Sequence, residues 1–476
     1  MESGINKKIF LSYFRCKRKA FEIANNKIAT TMDYSFAEEF NETSFKERAM
    51  KIIVKEENQS AKRILKNKIV PTPYGEDIVI DLLVEHPNEK TMIEFVPKVI
   101  GKIGIEKWWI AYKAHILRNT GYKVNKIFLV CLDANYSTDK TDRDFIYVED
   151  ITNKINKLIP SIPQKITYIQ NTIKDNNTLV KDIGMQCYEP KECPLMPICW
   201  KHINEQPSNF DLVEINPYKK MQLFWKDKVE LIDCPPKMLI GKDKKRIKYM
   251  MDEKIKIDER ELNIFFARVI EQKKAYFFSL EYHKHIVQKI NIASFKSVPY
   301  QFTNFFVDFE KKTSNPKNRI FSSNEQIINF LPEVINSLNL HGDAPIIVYN
   351  KYVLRNTLIN LLQGTNAFHL EEQVKCIMER TIDLRDVFEK LYYYDYRFRG
   401  SLLLKKIAPV IATGLLKPEE LSILESISST EEYAKWILKK EDPQKSKNNL
   451  KEYSLTKVKC LKLLTKMLID IAYKGS

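Results

Sequence analysis

The chain has 476 residues, of which 44% are hydrophobic, enough for about two to four domains with packed cores. Its 77 Lys and Arg residues exceed its 61 Asp and Glu residues, and the net charge of +16 favours a polyanionic partner such as DNA or RNA. No run approaches the roughly 18 apolar residues of a membrane helix, so we expect no contact with a membrane.

Two further features of the composition bear on the cellular setting. The N-terminal residues lack the apolar stretch of a signal peptide, which favours a cytoplasmic protein. The richness in Lys, Asn and Ile is also typical of an A·T-rich genome. The positive charge by itself therefore leaves a nucleic-acid partner and a protein partner both open.

The first half of the chain has the pattern of an α/β domain. Residues 1–70 are predicted to be mostly helical, because apolar side chains recur at helical spacing. Residues 76–84 and 91–96 are rich in β-forming residues and are predicted to be two adjacent strands. A helix over 104–119 and an apolar strand over 126–132 follow.

The second half repeats an α/β pattern and ends in helices. Strands are predicted over 274–282, 301–309 and 344–350, with helical segments between and after them. The region from 410 onward is lysine-rich and predicted to be helical. The predicted domains are 1–205, a connector 206–260, an α/β domain 261–412 and a helical C-terminal region 413–476.

Four cysteines form a candidate metal site. Cys187, Cys193 and Cys199 are spaced six residues apart among prolines, and Cys16 stands far upstream. Thiols stay reduced in the cytoplasm, so such a group indicates a metal rather than disulfides. Four soft ligands suit an iron–sulfur cluster or tetrahedral zinc, and His202 could replace one thiolate on zinc.

The arrangement of these cysteines resembles a known nuclease family. One early cysteine in "SYFRCKRKAFE" and three late ones bracket a carboxylate-bearing hairpin. This order is similar to the iron–sulfur branch of the PD-(D/E)XK nucleases, which includes RecB-like and AddB-like exonucleases. The resemblance implies a restriction-endonuclease-like α/β fold and a 4Fe–4S cluster on the four cysteines, although the late spacing differs from the commonest pattern of that branch.

The same resemblance implies a Mg²⁺ site on the hairpin. Asp81 in "IVIDLLV" and Glu94 in "MIEFV" stand where the family has its metal-binding carboxylates, and Mg²⁺ prefers such hard oxygen ligands. The lysine that the family places two residues after the glutamate is Val96 here. Lys98, further along the strand, or Lys113, on the following helix, would have to replace it.

Residues 275–409 resemble a second nuclease-like domain. The segments "AYFFSLEYH", "VPYQFTN", "IIVYNKYVLRNTL", "RTIDLRDVF" and "GSLLLKKIAP" have the order and spacing of an RNase H-like DEDD exonuclease domain. Such a domain is fused to iron–sulfur PD-(D/E)XK nucleases in the bacterial family known as domain of unknown function 2779. With the first half, this resemblance spans about residues 8–410.

The second candidate site lacks parts of the four-carboxylate pattern that two metal ions require. Ser279 replaces the first aspartate, while Glu281 and Asp383 are retained. After Asn350, the acidic position is filled by Leu354 or Arg355. The sequence therefore predicts a degenerate exonuclease site.

Three functions follow from these observations. The first is a nucleic-acid-binding, iron–sulfur, nuclease-like protein with weak or lost catalysis. The second is an active Mg²⁺-dependent nuclease that uses Asp81, Glu94 and a relocated Lys98 or Lys113. The third is a protein–protein scaffold or subunit.

Overall fold

The chain divides into two compact units. The computed structural model describes residues 4–25, 36–99, 104–133, 141–174, 183–188, 193–239, 241–284, 297–311, 316–322, 327–439 and 442–474. The first unit is Met1–Lys201 and the second unit is His202–Ser476. Each is an assembly of helices and a mixed β-sheet, so the predicted α/β class is confirmed at this level.

The sheet of the first unit has five strands in sequential order. They are β1 (Arg63–Val70), β2 (Ile78–Glu85), β3 (Lys90–Val99), β4 (Lys126–Leu132) and β5 (Ile146–Asp150). Strands β1, β2 and β3 form an antiparallel meander, β4 is parallel to β3, and β5 is antiparallel to β4. The helix between β3 and β4 provides the crossover that a parallel pair requires.

Strand β1 is an element that the prediction of mostly helical structure over residues 1–70 did not contain. Its sequence "RILKNKIV" is interrupted by lysines, and most of its side chains are exposed or half-buried. Lysines on an edge strand discourage pairing with another chain, but they also weaken the sequence pattern by which a strand is recognised. The helices Lys7–Arg15, Lys17–Ala24 and Phe36–Glu57 precede it.

Helices pack against this sheet around an aromatic core. The ring of Phe10 lies 5.4 Å from that of Trp109 and 5.1 Å from that of Tyr112, which joins the N-terminal helix to the crossover helix. All three side chains are buried. The helices of this unit are Lys7–Arg15, Lys17–Ala24, Phe36–Glu57, Glu106–Asn119, Thr152–Leu158, Ile162–Lys174 and Met196–Cys199, and Lys201–Asn204 crosses the division between the units.

The second unit contains another five-stranded sheet and a two-stranded ribbon. The strands are β6 (Ile255–Ile257), β7 (Lys274–Lys284), β8 (Ser297–Asp308), β9 (Lys317–Ile320), β10 (Ile346–Val348), β11 (Thr381–Asp383) and β12 (Tyr393–Asp395). The sheet order is β11-β10-β7-β8-β9, and β6 pairs with β12. Strands β7, β8 and β9 are antiparallel neighbours, whereas β10 is parallel to both β7 and β11.

Helices surround the second sheet, and the longest lies at the C-terminal end. The segment 206–260, predicted as a connector, contributes buried side chains such as Leu223 and Met250 to the core of this unit. None of the helices in the described part of the chain has the length and apolar character needed to span a bilayer. The helices are Pro217–Phe224, Asp243–Met251, Glu259–Gln272, Phe330–Asn339, Lys351–Gly364, Glu371–Arg380, Arg385–Glu389, Leu404–Ile411, Pro418–Ser426, Ser429–Ile437 and Pro443–Lys474.

Candidate functional site

The β2–β3 hairpin brings Asp81 and Glu94 together. The register pairs Leu82 with Ile93, so Asp81 and Glu94 are the next opposed residues along the two strands. The Asp81 amide lies 3.3 Å from Glu94 Oε1, and the Phe95 amide donates to Asp81 Oδ2 at 3.0 Å. Both carboxylates are buried, with 4% and 3% of their surface exposed. Their predicted proximity is therefore present, in a setting largely closed to solvent.

Two lysines from helices complete this cluster. Lys113 on the helix Glu106–Asn119 donates to Glu94 Oε2 at 2.5 Å, and it is itself buried. Lys46 on the helix Phe36–Glu57 lies 3.1 Å from Asp81 Oδ1. We call Asp81, Glu94, Lys46 and Lys113 the first carboxylate cluster.

The other candidate lysine of this region has a different partner. Strand β3 continues past Pro97 to Val99, but its register against β4 shifts between Val96 and Val99. Lys98 forms an ion pair with Glu106 at the start of the crossover helix. Val96, at the position where the family has its lysine, packs against the core. Of the two proposed replacements, Lys113 is thus the one placed on Glu94.

Lys46 was not identified from the sequence. It is one of several charged residues on the helix Phe36–Glu57, and it bonds both Asp81 and, at 3.0 Å, Glu42 one turn earlier. Its contact with Asp81 joins residues 35 positions apart. The spacing of Glu42 and Lys46 predicts their mutual pair, but no local pattern indicates the strand carboxylate.

The two carboxylates of the first carboxylate cluster differ in their affinity for protons. Burial acts to raise the pKa of Asp81, but the charges of Lys113 and Lys46 outweigh it and hold this pKa below its usual value. Burial and the nearby charge of Asp81 raise the pKa of Glu94 to about 7, against the opposing effect of Lys113. Unequal carboxylate pairs of this kind are common where proton transfer or ion binding occurs, although structural ion-pair networks produce them too.

The four predicted cysteine ligands occupy one region of the first unit. Cys16 separates the helices Lys7–Arg15 and Lys17–Ala24. The Cys193 amide donates to the Cys187 carbonyl at 2.7 Å, and Cys199 ends the helix Met196–Cys199. All eight cysteines lie in described residues, and no disulfide is formed among them. The intervening residues 189–192 lie outside the described part of the chain.

The electrostatics of these thiols reflect their mutual proximity. Burial, followed by the charge of Cys16 and Cys193, raises the pKa of Cys199. Burial also raises the pKa of Cys193, with smaller contributions from Cys187 and Cys16. Among the described residues, no group of three or more His, Cys, Asp or Glu side chains is arranged as a metal site. The thiols therefore lie near one another without the geometry of a formed site.

The retained glutamate of the second candidate site is fully engaged. Glu281 on β7 is buried, and its Oε1 accepts hydrogen bonds from Ser279 Oγ at 2.8 Å and Lys457 Nζ at 2.7 Å. Its Oε2 accepts from Ser429 Oγ at 3.2 Å. Ser279, in the position of the missing aspartate, thus supplies a donor where the exonuclease pattern has a carboxylate. Neither Lys457 nor Ser429 was a candidate from the sequence.

The retained aspartate of the second candidate site supports the local backbone. Asp383 at the end of β11 accepts hydrogen bonds from the amides of Asn350 at 2.8 Å, Lys351 at 2.7 Å and Arg385 at 3.1 Å. Asn350 has a φ of 79° and caps the following helix by accepting from the Val353 amide. These contacts give Asp383 and Asn350 a structural role in joining β10 to β11.

The residues at the missing acidic position face different surroundings. Leu354 is buried in the core of the second unit, on the helix Lys351–Gly364. Arg355, its neighbour, is exposed. Because the helix turns by about 100° per residue, adjacent side chains point in different directions. Leu354 therefore packs in the core, and Arg355 places a cation at the surface.

A test of the first carboxylate cluster is the pH dependence of stability. Between pH 4.5 and about 7 the folded chain holds a proton on Glu94 that the unfolded chain has released, so stability should fall as the pH rises through this window. The pKa change corresponds to about 3 kcal/mol. The lowered pKa of Asp81 acts at lower pH and in the opposite direction. Glu94→Gln should remove most of the decline, as measured by urea unfolding at a series of pH values.

The matched control for this experiment is Glu89→Gln. Glu89 lies in the same hairpin, but 34% of its side chain is exposed and it pairs with Lys126 at 2.9 Å. The control should keep the pH dependence of the unchanged chain. Equal pH profiles for Glu94→Gln and the unchanged chain would contradict a raised pKa at Glu94.

Comparison with protein families gives a match within the second unit. Residues 276–402 match the family model described as Domain of unknown function (DUF2779). This segment runs from β7 past β12, and it includes Ser279, Glu281, Asn350 and Asp383. The match supports the family predicted from the ordered motifs, for this part of the chain. No curated protein and no solved structure matches the chain.

Proposed function

We propose that this chain is a nucleic-acid-binding, nuclease-like protein that carries an iron–sulfur cluster and has weak or lost catalysis. The observation that carries the proposal is the pairing of strand carboxylates with lysines in both units. Asp81 and Glu94 are held by Lys46 and Lys113, and Glu281 is held by Lys457. These carboxylates lie on strands of the sheets, and one oxygen of each is already bonded to a lysine.

The strand topologies support the nuclease-like folds in this proposal. In the first unit, an antiparallel meander is followed by a helix and a strand parallel to β3, as in the PD-(D/E)XK fold. In the second unit, β7 has the antiparallel β8 and β9 on one side and the parallel β10 and β11 on the other, as in the RNase H-like fold. The DUF2779 match covers most of the second sheet.

The first carboxylate cluster as it stands does not fit a Mg²⁺ ion. Mg²⁺ is bound through free carboxylate oxygens and waters in near-octahedral geometry. Here one oxygen of each carboxylate bonds a lysine, and Asp81 Oδ2 also accepts the Phe95 amide. Two ammonium groups beside two carboxylates cancel the negative charge that would attract a divalent cation. We therefore assign no catalytic step to a metal at this position.

One observation favours the alternative of an active Mg²⁺-dependent nuclease. Lys113 reaches Glu94 from the crossover helix, so a lysine amine lies beside the two carboxylates although Val96 stands in the usual position. A cleavage assay separates the two proposals directly.

The cleavage prediction uses the full chain with labelled single- and double-stranded DNA and RNA. With Mg²⁺ or Mn²⁺ present, we expect binding with little or no release of nucleotides, because Lys46 and Lys113 occupy the carboxylates. Asp81→Asn should leave that low level unchanged. Metal-dependent release that is lost in Asp81→Asn and kept in Glu89→Gln would overturn lost catalysis and establish the alternative.

A cationic surface on the C-terminal helix supports binding of a polyanion. Lys459, Lys462 and Lys466 follow one another at intervals of three and four residues, which places them on one side of the helix. Lys466 is exposed, Lys462 is half-buried, and Lys459 is paired with Glu420. Burial and the charges of Lys466 and Lys459 lower the pKa of Lys462. Ammonium groups that repel one another in this way are stabilised by a phosphate group nearby.

The binding prediction follows from this cationic surface. Lys462→Gln combined with Lys466→Gln should weaken binding to DNA or RNA and reduce the slope of log K against log salt concentration by about 2. The control is Lys254→Gln combined with Lys375→Gln, which removes two exposed lysines paired with Asp252 and Glu372. Affinity is measured over a salt series. Failure of the unchanged chain to bind nucleic acid would favour the protein scaffold instead.

The cysteines supply the metal group of this proposal. Cys16, Cys187, Cys193 and Cys199 would hold the cluster as thiolates, and the charges of Arg18 and Lys19 favour thiolate formation at Cys199 and Cys193 respectively. The donor set fits an iron–sulfur cluster in kind, since four thiolates are its usual ligands. Such a cluster would link the N-terminal helices to the described segments 183–188 and 193–199 and stabilise the first unit.

The cluster prediction concerns colour and metal content. Protein purified without oxygen should be brown and contain about four iron and four sulfide ions per chain. Cys199→Ser should lose most of the iron and lower the stability of the first unit, whereas Cys376→Ser removes an exposed thiol of the second unit and should change neither. A colourless protein with one zinc would replace the cluster by structural zinc, and a metal-free protein would overturn the metal site.

A further inference from the structure

The C-terminal helix Pro443–Lys474 meets the second sheet through polar contacts. Thr303 Oγ1 lies 2.7 Å from Ser454 Oγ, and Gln301 Nε2 donates to the Leu450 carbonyl at 2.9 Å. Lys457 Nζ reaches Glu281 on the neighbouring strand at 2.7 Å. The contacting positions 450, 454 and 457 share one face of the helix, so this face lies across β7 and β8.

Lys457 occupies a position that the helix otherwise gives to packing residues. Leu450, Ser454, Leu461 and Leu464 are fully buried on this helix, and the side chain of Lys457 between them is only 20% exposed. Placing an ammonium group there is unfavourable unless an anion and hydrogen bonds offset the loss of hydration. Glu281 is the carboxylate that bonds it.

The charge of the Glu281 carboxylate is neutralised by its neighbours. Its two oxygens accept three hydrogen bonds, from Ser279, Ser429 and Lys457. Tyr453 and Tyr282, the other titratable groups whose charge acts on Lys457, are phenols. The ammonium group of Lys457 thus occupies the position beside Glu281 that a bound metal ion would take.

We propose that Lys457 is the resident cation of the Glu281 site, held there by the C-terminal helix in place of a divalent metal ion. This inference deepens the proposed function and rests on it for the identification of Glu281 with an exonuclease-like carboxylate. It assigns the C-terminal helix a specific role in the second unit: the helix closes the site with a built-in ammonium group. Loss of the first aspartate to Ser279 fits this arrangement, because one lysine balances one carboxylate.

The inference makes a stability prediction for the full chain. Lys457→Met leaves Glu281 buried without its cation and should lower the melting temperature of the second unit by about 10 °C. Lys457→Arg should restore most of the loss. Lys459→Met, on the same helix but paired with the more exposed Glu420, should shift it by about 2 °C or less.

A second substitution separates the effect of the Lys457–Glu281 ion pair from other effects of Lys457→Met. Glu281→Gln added to Lys457→Met removes the unpaired charge, so the double variant should be more stable than Lys457→Met alone. This variant keeps the test decisive if Lys457→Met fails to fold. Equal, small effects of Lys457→Met and Lys459→Met would overturn the inference.

Binding of Mn²⁺ is the second measurement. It is followed by electron paramagnetic resonance, because the signal of free Mn²⁺ decreases when the ion binds to the protein. The unchanged chain and Glu281→Gln should bind Mn²⁺ equally, because the Glu281 site takes none. Ser279→Asp with Lys457→Met should gain a site that is lost again with Glu281→Gln. If the unchanged chain binds Mn²⁺ through Glu281, the inference is wrong. That result is separate from a failure of the proposed function, which the cleavage and nucleic-acid assays detect without these variants.

Discussion

Three carboxylates inside the two sheets, Asp81, Glu94 and Glu281, are paired with lysines carried by helices. Removing a carboxylate from water is costly, and a nearby ammonium group offsets the cost only when distance and hydrogen bonding are favourable. Lys113 meets Glu94 and Lys457 meets Glu281 within 2.7 Å or less. Because each lysine belongs to a helix and each carboxylate to a strand, each pair is a polar contact between a helix and its sheet.

This constraint also bears on chemistry. A carboxylate that serves a metal needs free oxygens and an excess of negative charge, whereas the same carboxylate bonded to lysine is electrostatically satisfied. Asp81 and Glu94 differ in this respect. The pKa of Asp81 is lowered, which favours its charged form, whereas the pKa of Glu94 is raised to about 7. Under the proposed function, the carboxylates of a nuclease-like fold stabilise the protein through their lysine partners, and surface lysines bind the polyanion.

In the proposed function, the four cysteines bind the iron–sulfur cluster, and the buried lysines neutralise the strand carboxylates. In the first unit, Cys16 lies between the two N-terminal helices, and its charge acts on Cys199. A cluster bound by the four cysteines would join the N-terminal helices to the end of the unit, as Lys46 and Lys113 join two helices to the β2–β3 hairpin. The second unit relies instead on its long C-terminal helix, which buries both apolar and polar side chains against the sheet.

Much of the local structure follows from the sequence, because strand and helix periodicity are properties of neighbouring residues. The opposition of Asp81 and Glu94 was predictable from two adjacent β-rich segments, and the ordered motifs indicated the family that matches residues 276–402. The lysine partners were decided by tertiary structure. Lys46 and Asp81 are 35 residues apart, and Lys457 and Glu281 are 176 apart. One lysine among 77 basic residues carries no mark of its partner, since only the packing of helix on sheet determines which ammonium group reaches a buried carboxylate.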